Sequence, residues 1–152
     1  MISKTQLFTP FLVLLAAGAA LAHVTVQPKE AAAGATQKYT MRVPNEKVVA
    51  NTRVEVEFPA GVEILGADEH EGWKLEVKKD GAGKITGAIW TGNLAAKEFG
   101  EFTFSAKNPK EATKLMWKAL QVYSDGSKSE WTGPQGSKGP AGIAIKTIEA
   151  VK

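Results

Sequence analysis

Four residues in this chain carry side chains that could meet in one site: His23, Glu46, His70 and Trp131. His23 follows Ala20-Leu21-Ala22, a small-x-small triplet of the kind a signal peptidase cuts. Cleavage there makes His23 the first residue, and a free amine and an imidazole on one residue form a ready-made metal chelate. Glu46, in Arg42-Val43-Pro44-Asn45-Glu46, offers a carboxylate just past the end of a strand. Trp131, in Ser129-Glu130-Trp131-Thr132-Gly133, has an indole N–H that only donates, so it can cover a site but not ligate. His70 lies between Glu69 and Glu71 in a polar loop and reads as an exposed histidine. Taken singly, each of these is ordinary: a terminal residue, a solvated loop carboxylate, an aromatic on a strand.

The chain lacks cysteine, which excludes thiol catalysis and thiolate metal sites, including the blue-copper type. Beyond residue 22 only Met41 and Met116 remain, so a methionine-rich Cu(I) site is unsupported. The donors on offer are nitrogen and oxygen. Nineteen Lys and Arg stand against 16 Asp and Glu, for a formal net charge of +3. With no basic cluster interleaved with aromatics, that balance argues against a nucleic-acid partner.

The segment ahead of His23 has its own grammar. Lys4 supplies a short positive start, and Leu7 to Ala22 is uncharged and rich in Leu, Ala and Phe. Pro10 interrupts it, and it falls short of the roughly 18 apolar residues that a membrane span needs. Residues 1–22 are therefore expected to be a signal peptide and residues 23–152 a single exported, periplasmic domain. Gly18-Ala19-Ala20 is a second small-x-small triplet, and a cut there leaves Leu21-Ala22 ahead of His23. No later stretch reaches spanning length, so no stable membrane anchor is expected. An exported domain without disulfides must be held by packing alone.

The elements that must position these residues read as strands. Thr52 to Phe58 is the clearest: Val54, Val56 and Phe58 fall on one face and Arg53, Glu55 and Glu57 on the other, the period of a half-buried strand. The same alternation marks His23 to Pro28, Tyr39 to Val43, Trp73 to Lys78 and Glu101 to Ala106. Val62 and Ile64, Ile85 to Trp90, Ser129 to Thr132 and Ile143 to Ile148 suggest further strands, and Ala31-Ala32-Ala33-Gly34 reads as a connection. Leu115 to Tyr123 fits one face of a strand and also tolerates a helix. Asp80-Gly81-Ala82-Gly83 and Asp125-Gly126 are turn chemistry. Seven to nine short strands with Gly and Pro punctuation predict an all-β protein, an antiparallel β-sandwich. Phe58, Phe102 and Phe104 are the expected core, with Trp73, Trp90 and Trp117 packed in strands.

The ordered set of motifs resembles YcnI-like copper-binding domains. His23-Val24-Thr25-Val26-x-Pro28 and Tyr39-x-x-Arg42-Val43-Pro44-x-Glu46 open it. Phe58-Pro59-x-Gly61, Gly72-Trp73, Phe104-x-Ala106-x-Asn108-Pro109, Trp117-x-Ala119-x-Gln121-x-Tyr123-x-Asp125-Gly126 and Glu130-Trp131-x-Gly133 continue it. The resemblance implies a cupredoxin-like or Ig-like sandwich holding one Cu(II) per chain in a monohistidine brace. The implied ligands are the amine and imidazole of His23 and the carboxylate of Glu46, with the Trp131 indole beside the metal. It further implies a non-enzymatic copper chaperone serving a membrane copper transporter or another copper protein. Many relatives carry a C-terminal membrane anchor, which this sequence does not show. Two rivals stand beside this reading. One is a copper-dependent redox enzyme of the histidine-brace type, for which His70 is the only remaining second histidine. The other is a metal-free Ig-like binding module.

Overall fold

The structure is a computed structural model and describes residues 23–133, 139 and 141–146. The expected signal peptide, residues 1–22, lies outside the described residues. Among the described residues eleven strands form two sheets. The smaller runs β1-β3-β8-β5, from Thr25–Gln27, Thr36–Pro44, Phe99–Lys107 and Glu63–Ala67. The larger runs β2-β11-β9-β4-β7-β6, from Glu30–Ala32, Ala141–Lys146, Thr113–Tyr123, Asn51–Glu57, Ile85–Leu94 and Lys74–Lys79. In addition β10, Lys128–Trp131, pairs with the second half of β9.

The alternation of apolar residues is what closes the sandwich. Tyr39, Met41 and Val43 on β3 and Phe102, Phe104 and Ala106 on β8 turn inward from the small sheet. Val54 and Val56 on β4, Trp90 on β7 and Leu115, Trp117 and Ala119 on β9 meet them from the large one. At the centre the Trp117 ring lies 5.3 Å from Tyr39 and 5.1 Å from Phe104, and Phe58 packs 4.9 Å from Phe104. Each such ring contributes about 1.5–3 kcal/mol on burial, and a well-oriented aromatic pair adds about 0.5–1.5 kcal/mol. The Tyr39 hydroxyl donates to Asn108 Oδ1 at 2.7 Å, and Asn108 Nδ2 donates to the Ala32 carbonyl at 2.9 Å. The Tyr39 hydroxyl is thereby satisfied, whereas the buried Trp117 Nε1 finds no hydrogen-bond partner among the described residues.

Four expectations change. Leu115 to Tyr123 is strand throughout, with Leu115, Trp117, Ala119, Gln121 and Tyr123 buried at period two. The strands number eleven among the described residues, against an expected seven to nine. Part of the excess is β2, within what reads as a connection. Its three residues carry no alternation of their own, and they become strand by pairing in parallel with β11. Among the described residues this is the one parallel pair, the others being antiparallel. The last strand is Ala141–Lys146; Ile148 lies outside the described residues. Finally, His70 is half-buried rather than exposed. Its ring packs 5.0 Å from Phe102 and 6.1 Å from Trp73. The loop carrying it is pinned by Trp90 Nε1, which donates to the Asp68 carbonyl, and by Thr103 Oγ1, which donates to the Asp68 carboxylate.

Candidate metal-binding cleft

Strand β1 pairs with β3 so that Thr25 lies opposite Arg42. Val24 and Val26 are buried, and the alternation leaves His23 outside. Two residues ahead of Thr25, His23 emerges beside the Pro44–Glu46 end of β3. His23, Arg42, Glu46, Lys97 and Phe99 share the walls of a cleft of about 230 Å³. Two of the four candidate residues thus meet across the end of one sheet.

Asn45 sets the position of Glu46. Its side chain is 1% exposed. Nδ2 donates to the carbonyls of Val49, Leu94 and Ala95 at 2.9, 3.0 and 3.1 Å, and Oδ1 accepts from the Lys47 amide. The Asn45 amide donates to the Glu98 carbonyl, and its own carbonyl accepts from the Lys97 amide. One buried side chain therefore folds the loop after β3 and ties it to the connection between β7 and β8. Lys97 adopts φ 65 in that connection, a left-handed conformation that costs a non-glycine residue roughly 1 kcal/mol. Its amide and its Nζ both serve the same loop, Nζ donating to the Glu46 carbonyl at 2.7 Å.

The Glu46 carboxylate itself is exposed and makes no hydrogen bond or ion pair among the described residues. Its sequence neighbour Lys47 is drawn elsewhere. The ammonium lies 4.1 Å from the centre of the Tyr123 ring and donates to Ser127 Oγ at 2.7 Å. The charge of Glu46 is still felt at Tyr123. Burial pushes that phenol above its usual 10.0, the hydrogen bond to Ser129 draws it partly back, and the Glu46 carboxylate pushes it up further. The His23 imidazole likewise makes no hydrogen bond among the described residues. On the opposite wall the Arg42 guanidinium stacks 3.5 Å above the centre of the Phe99 ring, which is 50% exposed.

Trp131 reaches the site from the other sheet. It is 3% exposed, belongs to the core cluster, and meets the His23 ring edge-on with centroids 5.8 Å apart. Its Nε1 donates to Gln121 Oε1 at 2.8 Å. Gln121 Nε2 in turn donates to the Pro44 carbonyl, also at 2.8 Å. The indole supports the imidazole from the core rather than lining the cleft. His70 is absent from the cleft walls and stays in its own aromatic cluster. Asn45, Lys97 and Gln121 escape sequence reasoning. The only signal was a polar residue at an inward position of β9 for Gln121 and a position next to Pro44 for Asn45.

Among the described residues no three His, Asp or Glu side chains gather into a metal cage. The cleft walls carry the His23 imidazole and two carboxylates, Glu46 and Glu98, none of them in a hydrogen bond or ion pair among the described residues, and a metal held by His23 and Glu46 needs a further donor. A larger groove of about 810 Å³ crosses β4, β9 and β10. Of its carboxylates, Glu55 pairs with Lys78 and Arg53, Glu57 pairs with Lys118, and Asp80 accepts from the Ala82 and Lys84 amides.

Residues 23–144 match the family described as a domain of unknown function, DUF1775. Copper-binding protein CutI of Bacillus subtilis (strain 168) is 40% identical over 126 residues, covering 82% of this chain. The match spans 62% of CutI's own length. Among solved structures, a Nocardia farcinica protein with an immunoglobulin-like fold has a TM-score of 0.73 at 24% identity, covering 82% of this chain and 99% of that one. A cohesin module of a Clostridium perfringens family 33 glycoside hydrolase has a TM-score of 0.56 at 14% identity, covering 84% and 97%. The sandwich is therefore of the immunoglobulin-like kind, and the chain belongs to the DUF1775 family, in agreement with its YcnI-like motifs.

Proposed function

We propose that this protein binds one Cu(II) through the amine and imidazole of His23 and the carboxylate of Glu46. The observation that carries this reading is the shared cleft, lined by an imidazole and a carboxylate from distant positions, neither of which makes a hydrogen bond or ion pair among the described residues. The copper-binding relative at 40% identity supports the choice of metal. So does the donor chemistry. Nitrogen and oxygen donors without sulfur suit Cu(II), which tops the affinity order of the divalent first-row ions. The Glu46 charge offsets that of the ion, and the third donor appears when the signal peptidase exposes the amine of His23.

Copper is cargo in this reading. The protein is exported through residues 1–22, works in the periplasm, and carries Cu(II) to or from a membrane transporter or another copper protein without catalysing a reaction. An open cleft with an exposed aromatic at its rim suits metal handover. The redox-enzyme reading needs a second histidine, and His70 packs in a separate cluster. The deciding experiment is an EPR spectrum of protein beginning at His23, loaded with one equivalent of Cu(II). Nitrogen hyperfine structure from a single stoichiometric site is expected. Failure to take up copper from an equimolar mixture would sink the proposal.

A further inference from the structure

Gln121 stands out among the buried polar side chains. It is 0% exposed, in the interior of an immunoglobulin-like sandwich, at a β9 position whose neighbours at period two are Ala119 and Tyr123. A buried amide of this kind persists only when its donor and acceptor are both matched. Both are, and the two bonds run to different sheets. Nε2 donates to the carbonyl of Pro44, the last residue of β3, immediately before the Asn45 and Glu46 loop. Oε1 accepts from Nε1 of Trp131, whose ring lies against His23. The amide is thus a short bridge between the element that carries Glu46 and the indole that supports His23.

We propose that Gln121 is a positioning residue of the cleft, setting the separation of Glu46 and His23 through these two hydrogen bonds. The proposal rests on the copper-binding reading for its consequences, but the bridge is a property of the metal-free protein. The geometry explains the requirement for an amide. A hydroxyl is too short to span both partners, and an apolar side chain removes both the donor to the Pro44 carbonyl and the acceptor of this Trp131 N–H bond. A carboxylate keeps the acceptor for Trp131 and loses the donor for Pro44. Outer partners that orient metal ligands typically change metal affinity by about 10–100-fold when removed.

The test uses Gln121→Met, which removes both bonds at similar volume, and Gln121→Glu, which keeps one. In metal-free protein, the Trp131 indole N–H should exchange with solvent faster in Gln121→Met and stay protected in Gln121→Glu. The backbone resonances of Asn45 and Glu46 should shift in both. With Cu(II), Gln121→Met should weaken binding by roughly tenfold or more and alter the EPR parameters, with Gln121→Glu falling between it and the wild type. A folded Gln121→Met with unchanged indole exchange and unchanged resonances at Glu46 overturns the inference, even if its melting temperature falls. Unchanged copper affinity and spectrum in that variant overturn it as well. Wild-type protein that takes up no copper defeats the copper reading instead, and the metal-free measurements still decide the bridge.

Discussion

The Trp131 indole meets the His23 imidazole edge-on, with ring centroids 5.8 Å apart and 70° between their planes. A buried core aromatic is thereby in contact with an exposed side chain at the start of the domain. An ion held by His23 lies within reach of the excited indole. Adding Cu(II) should quench part of the tryptophan emission with one-to-one stoichiometry, and Trp131→Phe should abolish most of that quenching. Among the described residues Trp131 is the tryptophan in ring contact with His23, whereas Trp73, Trp90 and Trp117 pack against other aromatics. A fluorescence titration in which Trp131→Phe quenches as fully as the wild type would place the metal elsewhere.

Glu46→Gln keeps size and hydrogen-bonding capacity and removes the anionic donor. The carboxylate is exposed and otherwise uncommitted, so the fold should be nearly indifferent, as most surface substitutions are within about 0.5 kcal/mol. Cu(II) affinity should fall by roughly tenfold or more, the equivalent of ~1.4 kcal/mol. A competition titration giving the same Kd for both proteins removes Glu46 from the site.

Asn45→Ala attacks the same site through its scaffold. The substitution strips the Val49, Leu94 and Ala95 carbonyls of a buried donor. Leaving such groups unsatisfied costs about 1–3 kcal/mol, and urea denaturation should report a loss of that size. Copper binding should weaken together with stability, whereas Glu46→Gln separates the two. Full copper affinity in folded Asn45→Ala protein shows that the loop holds its shape without this anchor.

Both tyrosines of the chain should make stability fall at alkaline pH. Burial raises the Tyr39 and Tyr123 phenols above the usual 10.0. Above about pH 10 the unfolded chain loses these protons before the native state does. Stability that is fully present below that value is lost as pH rises through the native pKa values. Tyr123→Phe should flatten the pH dependence of the denaturation midpoint between about pH 9 and pH 11. Glu46→Gln should lower the Tyr123 titration seen by ultraviolet absorbance, because the carboxylate contributes to its upward shift. An unmoved titration means that Glu46 does not face that ring in solution.

The N-terminal amine can be tested by adding one atom group. A single Gly ahead of His23 converts its amine into an amide and breaks the chelate with the imidazole. Fold stability should be unaffected, since His23 precedes β1 and makes no hydrogen bond among the described residues. The extended protein should bind Cu(II) far more weakly and with a different EPR spectrum. Uptake by the unextended form should release protons, because metal ligands bind deprotonated. Identical affinity and spectra in the two forms contradict the histidine brace.

Local pattern in the sequence was enough to place most of the strands and their faces. Alternation in Val54-Glu55-Val56-Glu57-Phe58 and in Phe102-Thr103-Phe104 dictates which side chains are buried, because a strand reverses its side-chain direction at every residue. The type of each candidate donor was equally plain. The large sheet's β2, by contrast, has no pattern of its own and exists through its pairing with β11. The register Thr25 opposite Arg42 brings His23 to Glu46, and the pairing of Trp131 with Ala119 carries the indole to the imidazole. Asn45 and Gln121 gained their roles from carbonyls far away in sequence and, for Gln121, from the indole of the paired strand, and His70 is half-buried because Phe102 and Trp73 receive its ring. Periodicity and propensity act over a few neighbouring residues, whereas strand register and buried hydrogen bonds join distant ones. The sequence by itself therefore determined the strands and the donors, and only the packing of the two sheets decided which donors share a cleft.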